Sequence, residues 1–296
     1  MSKILCISLS TTIQKTVTFK TFNKDKVNRS LEYVLHASGK ALNTARVLNQ
    51  MEKDFAQVLC PVGEKNKDLF FELASKDDMK IQGPVIPGFT RECVTAIEQE
   101  TGSTTEIVVG EPSLDFDIKG TEHEILQTLK DVIADYDAVL LAGSKPSFFS
   151  YELIPAIANI VKSKNKIFMA DYLGKELLNT LMVQIPDIIK INEEEYAQTF
   201  VNEEELKSSI IKKSTAFNNI IVITRGKDST YCAVKGKFYE CPSEVVKPVN
   251  TTACGDSFNA GFIYEYLKSQ DIIKSLEKGT WCAARNAQSV APGSLN

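Results

Sequence analysis

The chain has 296 residues, of which 43% are hydrophobic and 24% charged, and its formal net charge is −4. Such a composition is typical of a globular protein with one large α/β domain or two smaller ones. Because no broad basic surface is implied, the charge argues against nucleic acid and anionic membranes as partners. An anionic small substrate would need a few local cations instead.

The first nine residues are predicted to form a strand, because their apolar run is too short and too alternating for a signal peptide. No run of about 18 apolar residues follows, so we expect no transmembrane helix. The seven cysteines are widely spaced and form no CxxC pair. This pattern argues against a disulfide framework or structural zinc site and favours a reducing cytoplasm.

The early part of the chain is rich in half-exposed β patterns. Apolar and polar residues alternate in Thr16–Phe22, Leu31–His36 and Thr90–Gln99, and Thr104–Val109 is rich in β-forming residues. Such segments predict antiparallel strands with one solvated face. We expect them to form a small β lid from residues near 14–37 and 90–109.

The later part alternates short buried strands with helices. The predicted strands are Val139–Gly143, Lys166–Asp171, Asp187–Asn192 and Asn219–Thr224, and the predicted helices include Tyr151–Ser163 and Glu193–Lys212. This alternation predicts an α/β fold whose mostly parallel sheet is flanked by helices on both faces. Because no linker or repeat is visible, we expect one domain over residues 1–296.

The most informative segment is Asn250–Phe262, where small residues and a glycine lead into an apolar helix pattern. Backbone N–H groups and the helix dipole at such a turn suit an anion. Asp256 in the same turn suits the removal of a proton from a hydroxyl. Phosphoryl transfer to an alcohol is one interpretation. The other is that Gly255 ends a strand and Asp256 caps a helix.

Two segments offer cations for an anionic substrate. Gly39 and Lys40 stand at a predicted helix start with Asn43 one turn later, although a lysine there is commonly just solvated. Arg91 follows a Pro-Gly turn and suits bidentate phosphate binding, although an arginine at a strand start is usually a surface residue.

The ends of two predicted strands carry further candidate binding residues. In Lys190–Glu195, Asn192 can cap a helix, and the same oxygens can act as ligands of hydrated Mg²⁺. In Ile223–Asp228, a glycine turn can contact nucleotide phosphates or can simply form a tight hairpin into the next strand. Both interpretations stay open at each site.

Together these motifs resemble those of the PfkB, or ribokinase-like, sugar kinases over nearly the full chain. The resemblance is carried by Ala253–Phe258, Ser38–Asn43, the Lys-x-Asn-x-x-Glu pattern of Lys190, Asn192 and Glu195, and the segments Val27–Arg29 and Thr90–Arg91. The last two match the sugar-phosphate branch, which includes 1-phosphofructokinase and tagatose-6-phosphate kinase. Cys254, Ser38 and Ala41 replace glycines of the usual signatures.

The resemblance implies a kinase that uses ATP and Mg²⁺, with a parallel sheet and a β lid. Asp256 would be the base, and the backbone from Ala253 through Cys254 and Gly255 would bind the transferring phosphoryl group. The implied substrate-binding residues are Gln14, Arg29, Gly39, Lys40, Asn43, Arg91 and Ser144. Lys190, Thr224, Gly226 and Asn286 would lie at ATP, with Asn192 and Glu195 acting on the metal.

One departure concerns the segment after the first strand. Ser10–Gln14 stands where this branch usually has Asn-Pro-Ala-Leu-Asp, so Gln14 replaces a carboxylate that accepts hydrogen bonds from the sugar. This predicts weaker sugar binding or a shifted substrate. A kinase of an unphosphorylated sugar or nucleoside, and a catalytically weak nucleotide-binding regulator, remain alternatives. The exposed lid edge would allow a homodimer.

Overall fold

The computed structural model describes residues 3–110, 116–200 and 204–295. The strands are β1 (Ile4–Ile7), β2 (Thr12–Phe19), β3 (Glu32–Ser38), β4 (Ala56–Leu59), β5 (Val62–Gly63), β6 (Ile81–Gln82), β7 (Val85–Ile86), β8 (Arg91–Glu98), β9 (Thr104–Val108), β10 (Ala138–Ala142), β11 (Ile167–Asp171), β12 (Ile188–Asn192), β13 (Ile220–Thr224), β14 (Thr230–Val234) and β15 (Lys237–Cys241).

The α-helices of the same residues are α1 (Lys40–Met51), α2 (Lys67–Lys76), α3 (Ile118–Val132), α4 (Leu153–Ser163), α5 (Gly174–Val183), α6 (Glu193–Thr199), α7 (Leu206–Phe217), α8 (Cys254–Ser269) and α9 (Ile272–Ala287). Short 3₁₀ turns cover Glu64–Asn66 and Ile133–Asp135. None of these helices is long and apolar enough to cross a membrane.

A nine-stranded sheet in the order β15-β14-β13-β12-β11-β10-β1-β4-β6 forms the centre of the described chain. Neighbours from β6 to β13 are parallel, whereas β14 and β15 are antiparallel at one edge. The prediction of a mostly parallel α/β sheet is confirmed. The carboxyl ends of its parallel strands meet along one edge, which is where such sheets bind ligands.

Hydrophobic cores cover both faces of this sheet. In β1, Ile4 and Cys6 belong to the core beneath α1, α2, α8 and α9, whereas Leu5 and Ile7 belong to the core beneath α3, α4, α5 and α7. This alternation follows from the two-residue period of a strand. Burial on both faces explains why the central strands are almost entirely apolar.

The second sheet has four strands in the order β3-β2-β8-β9. The sequence correctly predicts these strands but wrongly treats all of them as antiparallel, because β2 and β8 run parallel. One face carries the apolar cluster of Val17, Phe19 and Ala96. The opposite face carries Gln14, whose Nε2 donates to Thr95 Oγ1 at 2.8 Å, so the two faces differ in polarity.

One predicted helix is wrong in extent. The sequence indicates a single helix over Glu193–Lys212, but the structure has two helices, α6 and α7. Helix α6 ends because Phe200, its C-cap, has the extended dihedrals φ −114° and ψ 103°. Residues 201–203 of this prediction lie outside the described residues.

Candidate active site

Four elements meet at the carboxyl edge of the central sheet. Helices α1 and α8 begin here, with Lys40 and Asp256 in their first turns. Strand β11 ends here with Asp171, and β12 carries Lys190 two residues before its end at Asn192. The fold therefore collects two carboxylates and two ammonium groups from positions up to 216 residues apart.

Asp256 is the carboxylate at the start of α8 and is only 6% exposed. Its Oδ2 accepts a hydrogen bond from Asn43 Nδ2 at 2.8 Å. Burial raises the pKa of the Asp256 carboxyl to about 6, against the opposing effect of the Lys40 ammonium. A carboxyl group with this pKa is ionised at neutral pH and is still a useful proton acceptor.

The loop before Asp256 is held in a defined shape. Ala253 has the left-handed dihedrals φ 65° and ψ 11°, which turn the chain into α8. Asn286 Nδ2 donates to Thr252 O at 2.8 Å and contacts Cys254 Sγ at 3.3 Å. Because the first turn of a helix leaves backbone N–H groups without helical partners, this loop can receive an anion.

Gly255 and Cys254 differ in what they contribute to this loop. A side chain at Gly255 would place its Cβ 2.9 Å from Lys190 Nζ, so glycine leaves room for the lysine at the loop. Burial raises the pKa of the Cys254 thiol. A protonated thiol is a poor nucleophile, which argues against covalent chemistry at Cys254.

Asp171 belongs to this cluster, although the sequence analysis did not select it. The carboxylate is fully buried and contacts Lys40 Nζ at 3.1 Å, Lys190 Nζ at 3.2 Å and Asn259 Nδ2 at 2.5 Å. Burial alone raises the pKa of Asp171, but Lys190 and then Lys40 outweigh it and lower the pKa to about 2. The available signal was a predicted buried strand that ends in a carboxylate.

Lys40 joins this cluster to the start of α6. Its ammonium group lies 2.9 Å from Glu195 Oε1, in addition to its contact with Asp171. Burial lowers the pKa of Lys40, but the carboxylates of Asp171, Glu195 and Asp256 raise it well above its usual range. The lysine therefore stays charged and balances three carboxylates.

Asn192 and Glu195 form a reciprocal cap at the start of α6. Asn192 Oδ1 accepts from the backbone N of Glu195 at 2.7 Å, and Glu195 Oε2 accepts from the backbone N of Asn192 at 2.9 Å. The interpretation of Asn192 as a helix cap is confirmed. Within residues 3–110, 116–200 and 204–295, no group of three or more His, Cys, Asp or Glu side chains is arranged to hold a metal.

Several predicted residues lie around this cluster. Gly39 has φ 132°, and a Cβ there would lie 3.1 Å from Ser10 O, so the turn into α1 requires glycine. Gln14 is buried in the second sheet, and half-buried Arg91 begins β8. Asn286, fully buried in α9, supports the loop before Asp256.

The remaining predicted residues lie in loops or at strand ends. Arg29 is exposed between β2 and β3, and Ser144 is exposed just after β10. Thr224 ends β13 opposite Asn192, and Gly226 has φ 62° in the turn that follows. The interpretation of this turn as a hairpin is confirmed, since β13 and β14 are antiparallel neighbours.

Comparison with known proteins identifies the family of this chain. The model of the pfkB family of carbohydrate kinases matches residues 1–295. The chain belongs to this family. Carbohydrate kinases of this family are phosphotransferases, and the clustered charges at the sheet edge fit an enzyme that handles anionic substrates.

Individual relatives agree with this assignment. The chain is 26% identical over 303 residues to a tagatose-6-phosphate kinase of Staphylococcus epidermidis, covering 99% of this chain and 94% of that protein. A possible 1-phosphofructokinase of Thermotoga maritima has the same fold, with TM-score 0.85, 15% identity and coverage of 98% and 93%. The tetrameric inhibited form of phosphofructokinase-2 from Escherichia coli aligns with TM-score 0.82, 13% identity and coverage of 97% and 94%.

Proposed function

We propose that this carbohydrate kinase transfers the γ-phosphoryl group of ATP to a hydroxyl of a ketohexose phosphate, in a reaction of the 1-phosphofructokinase or tagatose-6-phosphate kinase type. The observation that carries the proposal is the buried Asp256 at the start of α8, whose pKa of about 6 lies close to neutrality. A base of this strength beside an anion-binding helix start suits phosphoryl transfer to an alcohol.

In this proposal Asp256 takes the proton from the acceptor hydroxyl as the oxygen attacks phosphorus. The backbone from Ala253 to Asp256 receives the negative charge of the transferring group, and Lys190 lies beside Gly255 to neutralise more of it. Such catalysis depends on alignment and charge neutralisation rather than on a covalent intermediate.

We propose Mg²⁺ as the metal cofactor. The residues present fit a hydrated ion, because Mg²⁺ commonly keeps several waters and uses only one or two protein carboxylates. Glu195 supplies a carboxylate at the strand edge, and Asn192 lies beside it. When bound, the ion neutralises charge on the phosphate oxygens.

For the sugar phosphate we propose Arg29, Lys40, Asn43 and Arg91 as ligands, with Gly39 and Ser144 at the edge of the pocket. Gln14 lies in the second sheet, which we propose as the lid. Glu106 Oε1 in β9 accepts a hydrogen bond from Thr252 Oγ1 at 2.8 Å. This contact supports a closed arrangement of the second sheet against the loop before Asp256. Thr224, Gly226 and Asn286 are proposed for ATP.

An assay of ADP release tests the proposal. The purified enzyme receives MgATP with fructose 1-phosphate, fructose 6-phosphate, tagatose 6-phosphate, fructose, ribose or a nucleoside. Turnover restricted to one ketose phosphate is expected, because Arg29, Lys40 and Arg91 would bind a phosphate group that an unphosphorylated sugar lacks. Equal turnover of fructose and its 1-phosphate would instead favour a kinase of unphosphorylated acceptors.

A matched variant separates the enzyme from a nucleotide-binding regulator. Asp256→Asn keeps the size of the side chain but removes the base, so turnover should fall by at least about a thousandfold. ATP binding, measured by calorimetry, should persist. If the variant retains turnover, Asp256 is not the base.

We also propose a homodimer through the lid and a reducing cytoplasmic location. The face opposite Gln14 is apolar around Val17 and Phe19, and Tyr33 and Ile107 leave 61% and 49% of their surfaces exposed. An apolar sheet face of this kind suits a second copy of the chain. Gel filtration that gives only monomers at all working concentrations would contradict the dimer.

A further inference from the structure

Arg46 is a buried arginine whose guanidinium group contacts the side chain of Asn43, which in turn contacts the proposed base, Asp256. The side chain extends from α1 and is 3% exposed. Its Nε donates to Asp77 Oδ2 at 2.7 Å, and its Nη1 donates to Asn43 Oδ1 at 2.9 Å. Its Nη2 donates to the backbone oxygen of Ala37. The guanidinium group has only donors, so each neighbour must present an acceptor.

This requirement fixes the amide of Asn43. Its Oδ1 accepts from Arg46 and also from Ser38 Oγ at 2.8 Å, which leaves Nδ2 to face Asp256 Oδ2 at 2.8 Å. A rotated amide would set its NH₂ group against the guanidinium donors and its oxygen against the carboxylate. Both contacts would be repulsive, so only one orientation is stable.

We propose that Arg46 is a positioning residue which, together with Ser38, holds the Asn43 amide so that its N–H group donates to the Asp256 carboxylate. The proposal rests on the proposed role of Asp256 as the base. A donor favours the ionised carboxylate, whereas an amide oxygen in the same place would favour the protonated form. Arg46 therefore favours the ionised form of the Asp256 carboxyl without contacting it directly.

Other charged groups face Asp256 and Arg46, the two ends of this chain of contacts. Lys40 of α1, Lys190 of β12 and Asp171 of β11 act on Asp256. On the far side, Asp77 follows α2 and His36 of β3 lies near Arg46. Burial, and then the charge of Arg46, lower the pKa of His36 to about 4, so this imidazole is neutral at working pH.

The same guanidinium also reaches the end of the described chain. Arg46 Nη1 donates to Pro292 O at 3.1 Å, and a Cβ at Gly293 would lie 3.0 Å from that nitrogen. The backbone N of Gly293 donates to Asn286 Oδ1 at 2.6 Å, and Asn286 holds Thr252 O. Arg46 is thus connected both to the base and to the loop that precedes it.

The test measures kcat and KM from pH 5 to 9 for Arg46→Lys and Ser38→Ala, with the acceptor that the ADP-release assay selects. Each removes a donor to Asn43 Oδ1 without adding an unpaired carboxylate beside Asp256. The acid limb of kcat should move up by about one pH unit, because the carboxylate loses part of its stabilisation. At pH 7 kcat should fall about twofold and recover by pH 9, with the KM for ATP within about twofold of wild type.

Asp77→Asn is the matched control, because it weakens the outer contact of Arg46 and leaves the Asn43 contact in place. It should lower the melting temperature without moving the acid limb. An equal loss of kcat at every pH, a rise in KM alone, or the same shift in the control would overturn the proposal. If Arg46→Lys does not fold, an unshifted profile of Ser38→Ala overturns it.

A readout independent of turnover separates this proposal from the proposed function. Aspartate-labelled protein is titrated by ¹³C NMR, and the Asp256 signal is assigned by its loss in Asp256→Asn. Its midpoint should rise in Ser38→Ala whether or not Asp256 is the base. A fixed midpoint overturns the positioning role, whereas a shifted midpoint without any acid limb in the wild-type rate overturns the role of Asp256 as base.

Discussion

Replacing Asp171 by asparagine removes the carboxylate that pairs with both active-site lysines. Asp171 is fully buried, and Lys190 is 3% exposed, so the variant leaves a buried ammonium group without its counter-charge. Breaking such a pair typically costs about 3–5 kcal/mol. Independently, the fall of the Asp171 pKa from its usual 3.8 to about 2 corresponds to roughly 2–3 kcal/mol. We therefore expect Asp171→Asn to lower the free energy of unfolding by about 3 kcal/mol at pH 7.

The pH dependence has a definite sign. Because the pKa of Asp171 is depressed in the folded state, its stabilisation is present above about pH 4 and is lost as the pH falls towards 2. Urea unfolding, followed by the fluorescence of Trp281, should show a large difference from wild type at pH 7 that shrinks below pH 4. Asp54→Asn is the control, because Asp54 pairs with Lys80 on the surface, and it should change stability little. Equal midpoints for Asp171→Asn and wild type at pH 7 would refute the reasoning.

Three further predictions concern the base, the turn into α1 and the sugar pocket. Since the pKa of Asp256 is raised to about 6 and the proposed base must be ionised, kcat/KM should fall as the pH drops through about 6; full activity at pH 4.5 would contradict this. Gly39→Ala should lower stability by about 1–3 kcal/mol, because φ 132° and the nearby Ser10 oxygen disfavour a Cβ, and an unchanged melting temperature would argue against that strain. Gln14→Asp should lower KM for the preferred ketose phosphate roughly tenfold, because a carboxylate accepts stronger hydrogen bonds from hydroxyls than an amide. Unchanged affinity for every ketose phosphate would rule out a role of Gln14 in sugar binding.

The central sheet could be predicted closely from the sequence. The sequence predicts strand β11 at Lys166–Asp171, and the structure has it at Ile167–Asp171. The agreement is close because a strand buried on both faces is visible in the sequence as a short apolar run. The second sheet was harder. The pairing of β2 with β8 joins Thr12 to Arg91, 79 residues apart, and local alternation does not specify whether such strands run parallel.

The candidate site was predictable where the residues stand in local motifs, as for Lys190, Asn192 and Asp256. Asp171 and Arg46 were not found, because their importance depends on neighbours that are distant in sequence. Asp171 meets Lys40 across 131 residues, and Arg46 meets Pro292 across 246. In the sequence they look like a strand end and a helix arginine.

The contacts around Asp256 also determine when the candidate site can form during synthesis. Asn43 reaches Asp256 across 213 residues, and the turn at Gly293 closes on Arg46 only after α8 and α9 have been made. A ribosome-bound chain that lacks these helices already contains strands β1 to β15 but lacks Asp256. Because such long-range contacts form late, partly made chains expose the apolar surface that α8 normally covers. Kinase activity and protection of that surface should therefore appear together, once α8 and α9 have been made.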